Sequence, residues 1–315
     1  MNFFRVAPIL WIALSLAACG ADSSRADATL DAGADMASSQ DLPDAPADVA
    51  SGPIRLVVMT FNVRTAWGSD GVNAWDNRRE LALKVIHTTA PDILGTQEAL
   101  LSQVDDLSAG LPGFDHVGRL RSDSPFDETN TIFFRADRFE LLADDSFQLS
   151  DTPDVIGSTF SENQGNPRIV TWVRLRQRAS GREFMVFNTH WDTASVDDIP
   201  LRSAALTASR VTSIRAGLPA VLSGDFNSTP GSEPWNVLAG VSEYNAVRGD
   251  LIDTWVELGL PEQGTSHGFT GVAKRRIDNV FHVPGVVAIR GEVILDHEDA
   301  VYPSDHFPVV VEVEF

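Results

Sequence analysis

The amino-acid sequence predicts an α/β fold, a four-layered sandwich in which two mixed β-sheets pack together and helices flank them on the outside. Three observations lead there. Short apolar runs of strand length recur from Ile54 to Phe315, some are joined by hairpin-like turns and others by stretches of helical period, and several end on a polar or acidic residue. The chain has 315 residues, 43% hydrophobic and 22% charged, which is ample for one large domain over residues 54–315.

The elements follow in order. IRLVVMTFNV is a strand. NRRELALKVIHTTA carries Leu81, Val85 and Ile86 at helical spacing, and Pro91 stops it. DILGTQE is a strand, followed by a helix near 99–109. TNTIFFR, FELLADDSFQL, RIVTWVRLRQ and REFMVFNTH read as strands at hairpin spacing, with Ala179-Ser180-Gly181 as a turn. A helix covers roughly 201–216, ended by Gly217 and Pro219, and PAVLSGDF returns as a strand. RIDNVFHV, VVAIRGEVIL and HFPVVVEVEF complete the pattern.

Strands that end together deliver their last side chains to one rim. Five strings stand at such ends or beside them: Phe61-Asn62, Thr96-Gln97-Glu98, Asn188-Thr189-His190, Gly224-Asp225-Phe226-Asn227 and Ser304-Asp305-His306. Carboxylates, amides and histidines gathered in one pocket equip it for metal-assisted attack on a phosphate ester. Asp225 suits holding or deprotonating a water, and Asn227, two residues on, suits fixing a phosphate oxygen, the bland alternative being an Asx turn. His306 needs a carboxylate on its other nitrogen, for which Asp278 is the candidate, leaving Asp305 for metal or nucleophile. Glu98 is a single carboxylate after an apolar run and fits a hard cation such as Mg²⁺ or Mn²⁺. Asn62 and His190 end apolar strands, where a polar group is costly unless partnered or at the rim. Asn130, Arg168 and His267 lie in loop-like strings and are further pocket candidates. His87, His116, His282 and His297 read as structural, and Trp67 and Trp75 as core residues rather than stacking surfaces.

The N-terminus has a different character. Arg5, an apolar run from Ala7 to Leu14 and Leu16-Ala17-Ala18 form a signal peptide over residues 1–18, too short for a membrane span. Cys19, the only cysteine, follows a string that resembles a bacterial lipobox, so lipidation there is expected; a plain signal peptide leaving a free thiol is the alternative. Residues 20–53 hold seven aspartates against Arg25 amid Ala, Ser, Gly and Pro, an acidic tether with nothing to build a core. The expected location is therefore the cell envelope on a lipid anchor, or outside the cell as a soluble protein. The formal net charge of −20 argues against a stable complex with nucleic acid, which rewards a basic face. Arg168, Arg174, Arg176 and Arg178 make a local basic string, read as a strand face.

Together the five strings resemble the endonuclease/exonuclease/phosphatase superfamily, which includes deoxyribonucleases, deadenylases, inositol polyphosphate 5-phosphatases and neutral sphingomyelinases. The resemblance covers Ile54–Phe315 and is strongest to a bacterial branch with Asn62-Val63-Arg64, Trp75-Asp76-Asn77-Arg78-Arg79 and Tyr302-Pro303-Ser304-Asp305-His306. It implies hydrolysis of phosphate esters with one or two Mg²⁺ or Mn²⁺ ions. Glu98 would be the main metal ligand, with Asn62 and Asp305 in the same network. His190 would contact phosphate, Asp225 and Asn227 would orient water, and Asp278 and His306 would complete the catalytic set. The DNA-repair members carry an aspartate where this chain has Arg64, which points to small or terminal phosphates and makes Arg64 a substrate-binding candidate. The expected enzyme is a monomeric phosphodiesterase or phosphatase acting on small molecules or lipid head groups. An extracellular nuclease and a non-catalytic surface-binding lipoprotein are the rival readings.

Overall fold

A computed structural model describes residues 52–193 and 196–315. The expected signal peptide, Cys19 and nearly all of the tether lie outside the described residues.

Two six-stranded mixed sheets form the centre. The first runs β11 (Val287–Val293), β12 (Val309–Glu314), β1 (Arg55–Asn62), β2 (Ile93–Gln97), β4 (Ile132–Arg135) and β3 (Phe114–Val117). The second runs β5 (Phe139–Gln148), β6 (Ile169–Gln177), β7 (Glu183–His190), β8 (Ala220–Asp225), β10 (Asp278–His282) and β9 (Ile252–Asp253). Each sheet has one parallel pair at its centre, β1 with β2 and β7 with β8, and antiparallel neighbours elsewhere. Each parallel pair is bridged by a helix, α1 (Trp75–Thr89) in the first sheet and α3 (Ile199–Arg215) in the second, as a parallel connection demands. α2 (Leu101–Gly110), α4 (Glu233–Leu238) and the single turn α5 (Thr254–Glu257) complete the helices.

Alternation along the strands decides what faces what. On β1, Leu56 and Val58 enter the core between the sheets, whereas Met59 and Phe61 pack with Ala82, Val85 and Ile86 of α1 and with Val104 and Leu107 of α2. Asn62 shares the parity of Leu56 and Val58, so it ends the strand facing the other sheet. His190 likewise shares parity with Phe184 and Val186, and Asp225 with Val221. Fully buried Phe187 and Phe281 anchor the second sheet, each side chain contributing about 2–3 kcal/mol.

Between the sheets, near the rim, the core turns polar. Gln97 Nε2 donates to Thr60 Oγ1 at 3.1 Å and to Asn188 Oδ1 at 2.7 Å, and Ser223 Oγ donates to the same Asn188 oxygen at 3.3 Å. Gly95 makes room for this contact, since a Cβ there would lie 2.5 Å from Ser223 Oγ and 2.7 Å from Asn188 Oδ1.

The predicted strands and helices are present, with bounds moved by a few residues. The first helix begins two residues early at Trp75, and the third runs 199–215. β3, β9, α4 and α5 carry too few periodic residues to have been foreseen. Trp75 is core, its Nε1 bonded to Asp106. Trp67 is not: it is 64% exposed, because the loop that carries it stands outside the sandwich. The basic string is a strand face, with Arg174 and Arg176 both paired to Glu183; only Arg168 departs from it, lying buried.

Candidate active site

Both parallel pairs end at the same edge of the sandwich, and their antiparallel neighbours begin there. Asn62 closes β1, Glu98 follows β2, and Asp305 and His306 precede β12. Facing them, His190 and Asp225 are register partners at the ends of β7 and β8, and Asp278 pairs with Asp225 as the first residue of β10.

Hydrogen bonds tie the two halves together. Asn62 Nδ2 donates to Glu98 Oε1 at 2.9 Å and to Asp225 Oδ2 at 3.0 Å, so this amide bridges carboxylates from both sheets. Its Oδ1 accepts from the Arg64 backbone N–H at 3.0 Å. His306 Nδ1 lies 2.8 Å from Asp278 Oδ2, the partnership expected from the sequence, and 3.9 Å from Asp225 Oδ2. His190 Nε2 lies 3.6 Å from the same Asp225 oxygen. Asn227 places its backbone N–H on Asp225 Oδ1 at 2.9 Å and its Nδ2 on the Trp191 carbonyl at 2.9 Å. Asn227 therefore forms the Asx turn, and one amide hydrogen remains for a ligand.

Backbone strain is concentrated here. Arg64, Glu98 and Asn227 have φ of 55°, 60° and 46°, a left-handed region that costs non-glycine residues about 1 kcal/mol or more. Each sits where a strand must turn sharply and still aim its side chain along the rim. Arg78, whose role sequence reasoning did not identify, holds this turn. Its fully buried guanidinium donates to the carbonyls of Asn73, Val63, Pro303 and Arg64 at 2.8, 2.6, 2.9 and 2.7 Å.

Electrostatics separate the acid–base groups. Burial, then the charge of Asp278, pushes the Asp225 carboxyl up to about 7, against the pull of His306. Burial, helped by Arg168 and Arg121, holds His190 well below the ordinary histidine value. Burial acts on His306 in the same sense, yet the carboxylates of Asp278 and Asp225 overcome it and hold that imidazole well above the ordinary value. The two histidines are thus pushed in opposite directions, His190 toward the neutral imidazole and His306 toward the imidazolium, a division of roles typical of catalytic centres.

Arg64 forks onto Asp70 at 3.2 Å through two nitrogens and approaches Glu98 at 4.0 Å and Asp305 at 3.9 Å. Arg168 is buried 3.6 Å from Asp192, and its Nε and Nη1 find no hydrogen-bond acceptor among the described residues. Asn130 donates to the Ile169 carbonyl at 2.8 Å, which supports the strand next to Arg168. His267 stacks on Phe307 with centroids 3.9 Å apart and accepts from the Gly271 N–H through Nδ1. Burial, then His306, lowers its pKa to about 4. The structure thus brings the predicted catalytic residues together, with Arg64 and Arg168 beside them, Asn130 behind Arg168, and His267 within electrostatic reach of His306.

The donor set suits a divalent cation. Ligand atoms of Glu98, His190 and Asp225 lie within 4.8 Å of one another, as do those of Asp225, Asp278 and His306. Burial, and the neighbouring Glu98 against the pull of His306, hold the Asp305 carboxyl above its usual range. A cation near Glu98 would relieve that crowding.

Residues 59–306 match the Endonuclease/Exonuclease/phosphatase family. Among solved structures, a protein of that family from Bacteroides thetaiotaomicron is 31% identical, with a TM-score of 0.73, covering 84% of this chain and 98% of that one. A mannosyl-6-phosphatase from Bacteroides thetaiotaomicron is 32% identical, with a TM-score of 0.73, covering 82% of this chain and all of that one. Nocturnin of Drosophila melanogaster is 25% identical over 287 residues, 76% of this chain and 42% of that protein. The chain spans about half the length of the curated relatives it matches. With the matched span, the two-sheet architecture and the rim of carboxylates and histidines in agreement, the chain belongs to the endonuclease/exonuclease/phosphatase family, whose members are phosphoesterase hydrolases that use divalent metals.

Proposed function

We propose that this protein is an exported, Mg²⁺- or Mn²⁺-dependent phosphatase that removes a terminal phosphate from small phosphate esters. The observation that carries the reading is Arg168. A guanidinium is buried beside the catalytic carboxylate and histidine, and its positive charge would draw a dianionic phosphate to the rim. Arg64 supplies a second cation on the other flank. The likeness to a mannosyl-6-phosphatase supports a phosphomonoester, and the acidic surface disfavours long nucleic acid.

In this reading Glu98, with Asp305, would hold the metal, which when bound would polarise a phosphoryl oxygen and offset its charge. Asp225, fixed by Asn62 and the Asn227 N–H, takes a proton from water. The water oxygen bonds phosphorus, the ester P–O bond breaks, and the departing alkoxide takes a proton from solvent to leave as the alcohol. Neutral His190 donates a hydrogen bond to a phosphoryl oxygen, and cationic His306, oriented by Asp278, stabilises the charge that develops. The N-terminal segment would hold the enzyme at the cell envelope through Cys19.

The test is phosphate release from hexose 6-phosphate, glycerol 3-phosphate, a chromogenic diester, sphingomyelin, DNA and RNA, with Mg²⁺, with Mn²⁺ and with chelator. Monoester turnover that disappears with chelator is expected, and Asp225→Ala or His306→Ala should abolish it while the protein stays folded. Preference for DNA, RNA or sphingomyelin, or undiminished turnover in both variants, would refute the reading.

A further inference from the structure

Two large aromatic residues beside the site are held in water by rigid loops. Trp67 is 64% exposed and Phe126 is 67% exposed, with ring centroids 6.1 Å apart at 42°. They border a cleft of about 390 Å³ whose lining includes Thr65, Arg121, Glu128 and Asn166, a size within the range of small-ligand sites.

The cleft opens directly off the catalytic rim. The Thr65 N–H, on its wall, donates to Glu98 Oε2 at 3.2 Å. The Glu128 carboxyl is raised first by burial, and the Glu98 charge also acts on it. A group bound to a phosphate at Glu98 and Arg168 would extend into this space.

The loops are pinned on both sides. The turn bearing Trp67 is fixed by the Thr65 bond and by the Ala66 N–H on Gln103 Oε1 at 2.8 Å. The loop bearing Phe126 is closed by Arg121, which reaches Asp127 Oδ1 and Glu128 Oε2, each at 2.5 Å. Arg121 thereby uses one oxygen of Glu128 and leaves Oε1 without a donor among the described residues. Asn166 keeps its side-chain amide uncommitted among the same residues.

The geometry points to a subsite for the leaving group, in which Trp67 and Phe126 seat the apolar face of a pyranose ring while Glu128 and Asn166 bind its hydroxyls. The substrate class is therefore a hexose phosphate, and this assignment rests on the phosphatase reading above. Stacking of the ring on an aromatic face with hydroxyls on carboxylate and amide groups needs both chemistries in one cleft, and both are present. A nucleobase fits less well, because rings tilted at 42° do not form a parallel slot. Asp127 and Glu128 set two carboxylates against the single cation of Arg121, so the lining does not favour further phosphates.

The test uses the full-length protein with Mg²⁺ and compares wild type with Trp67→Ala, Phe126→Ala and Glu128→Gln on hexose 6-phosphate, glycerol 3-phosphate and AMP. The ratio of kcat/KM for hexose 6-phosphate over glycerol 3-phosphate should fall about 10-fold in Trp67→Ala, chiefly through KM. An unchanged ratio, or a larger loss on AMP than on the hexose ester, overturns the proposal. Calorimetric titration with hexose 6-phosphate in EDTA reads the same contact without turnover. A Kd about 10-fold weaker in Trp67→Ala supports the subsite, whereas equal affinity, or none detectable in wild type, overturns it. Wild type that hydrolyses none of the esters but binds the hexose ester through Trp67 overturns the phosphatase reading alone.

Discussion

Replacing Arg78 by methionine removes the clamp that holds both arms of the rim. Four carbonyls, those of Asn73, Val63, Pro303 and Arg64, lose a charged donor at 2.6 to 2.9 Å. At about 1.5 kcal/mol each, the low end for hydrogen bonds to charged groups, the loss is about 6 kcal/mol. Part of it is recovered, because burial already opposes the charge and lowers the Arg78 pKa to about 10 from an ordinary 12.5, equivalent to about 3 kcal/mol. The net destabilisation is then about 3 kcal/mol, or about 6–12 °C in Tm for a domain of this size. Activity should fall further than stability explains. Val63 and Arg64 continue from Asn62, and Pro303 precedes Ser304 and Asp305, so a shift of about 1 Å displaces both arms and costs about 100-fold in rate. The assay pairs thermal unfolding by circular dichroism with kcat/KM at a temperature where both proteins are folded. A loss below about 1 kcal/mol with kcat/KM unchanged would refute the clamp.

Gly95→Ala should cost about 1–3 kcal/mol by overpacking, because its Cβ would meet Ser223 Oγ at 2.5 Å. Adding Ser223→Gly should return part of that in denaturant titrations, and strict additivity would show that the two sites are not in contact. Arg64→Asp replaces a cation 4.0 Å from Glu98 and 3.9 Å from Asp305 with a third carboxylate; calorimetry should show more Mn²⁺ bound per chain and KM for a monoester should rise about 10-fold, while unchanged stoichiometry would count against the placement. His267 has its pKa lowered to about 4 in the fold, so below its unfolded value of about 6.5 the unfolded state binds the proton first and stability falls on acidification. His267→Phe should therefore lose about 2 kcal/mol less than wild type between pH 7 and pH 5, and parallel pH profiles of Tm would refute it.

Strand ends were the most legible part of the sequence. Asn62, Glu98, His190 and Asp225 each close an apolar run or follow one, and alternation alone sends Asn62, His190 and Asp225 to the shared face. The Asp278–His306 pair was readable because an oriented histidine demands a carboxylate. What stayed hidden depends on three-dimensional closure. The left-handed backbone at Arg64 and Glu98 leaves no trace in residue type, and only at Asn227 does an asparagine, which tolerates that region, hint at it. Arg78 looks like any charged residue near a helix start until four carbonyls converge on it. Trp67 misled, because hydrophobicity alone cannot distinguish a core tryptophan from one that a pinned loop holds in solvent.

The bonds Asn62–Asp225, Gln97–Asn188 and His306–Asp278 all run from one sheet to the other. The catalytic centre is therefore also the seam of the molecule. A metal or phosphate bound there acts as a rivet, stabilising the closed sandwich by RT ln(1 + [L]/Kd) and leaving either sheet alone untouched. A slight parting of the sheets would extinguish turnover while every strand kept its ladder, so loss of activity during denaturation should run ahead of loss of the circular dichroism signal and report the opening of the seam itself.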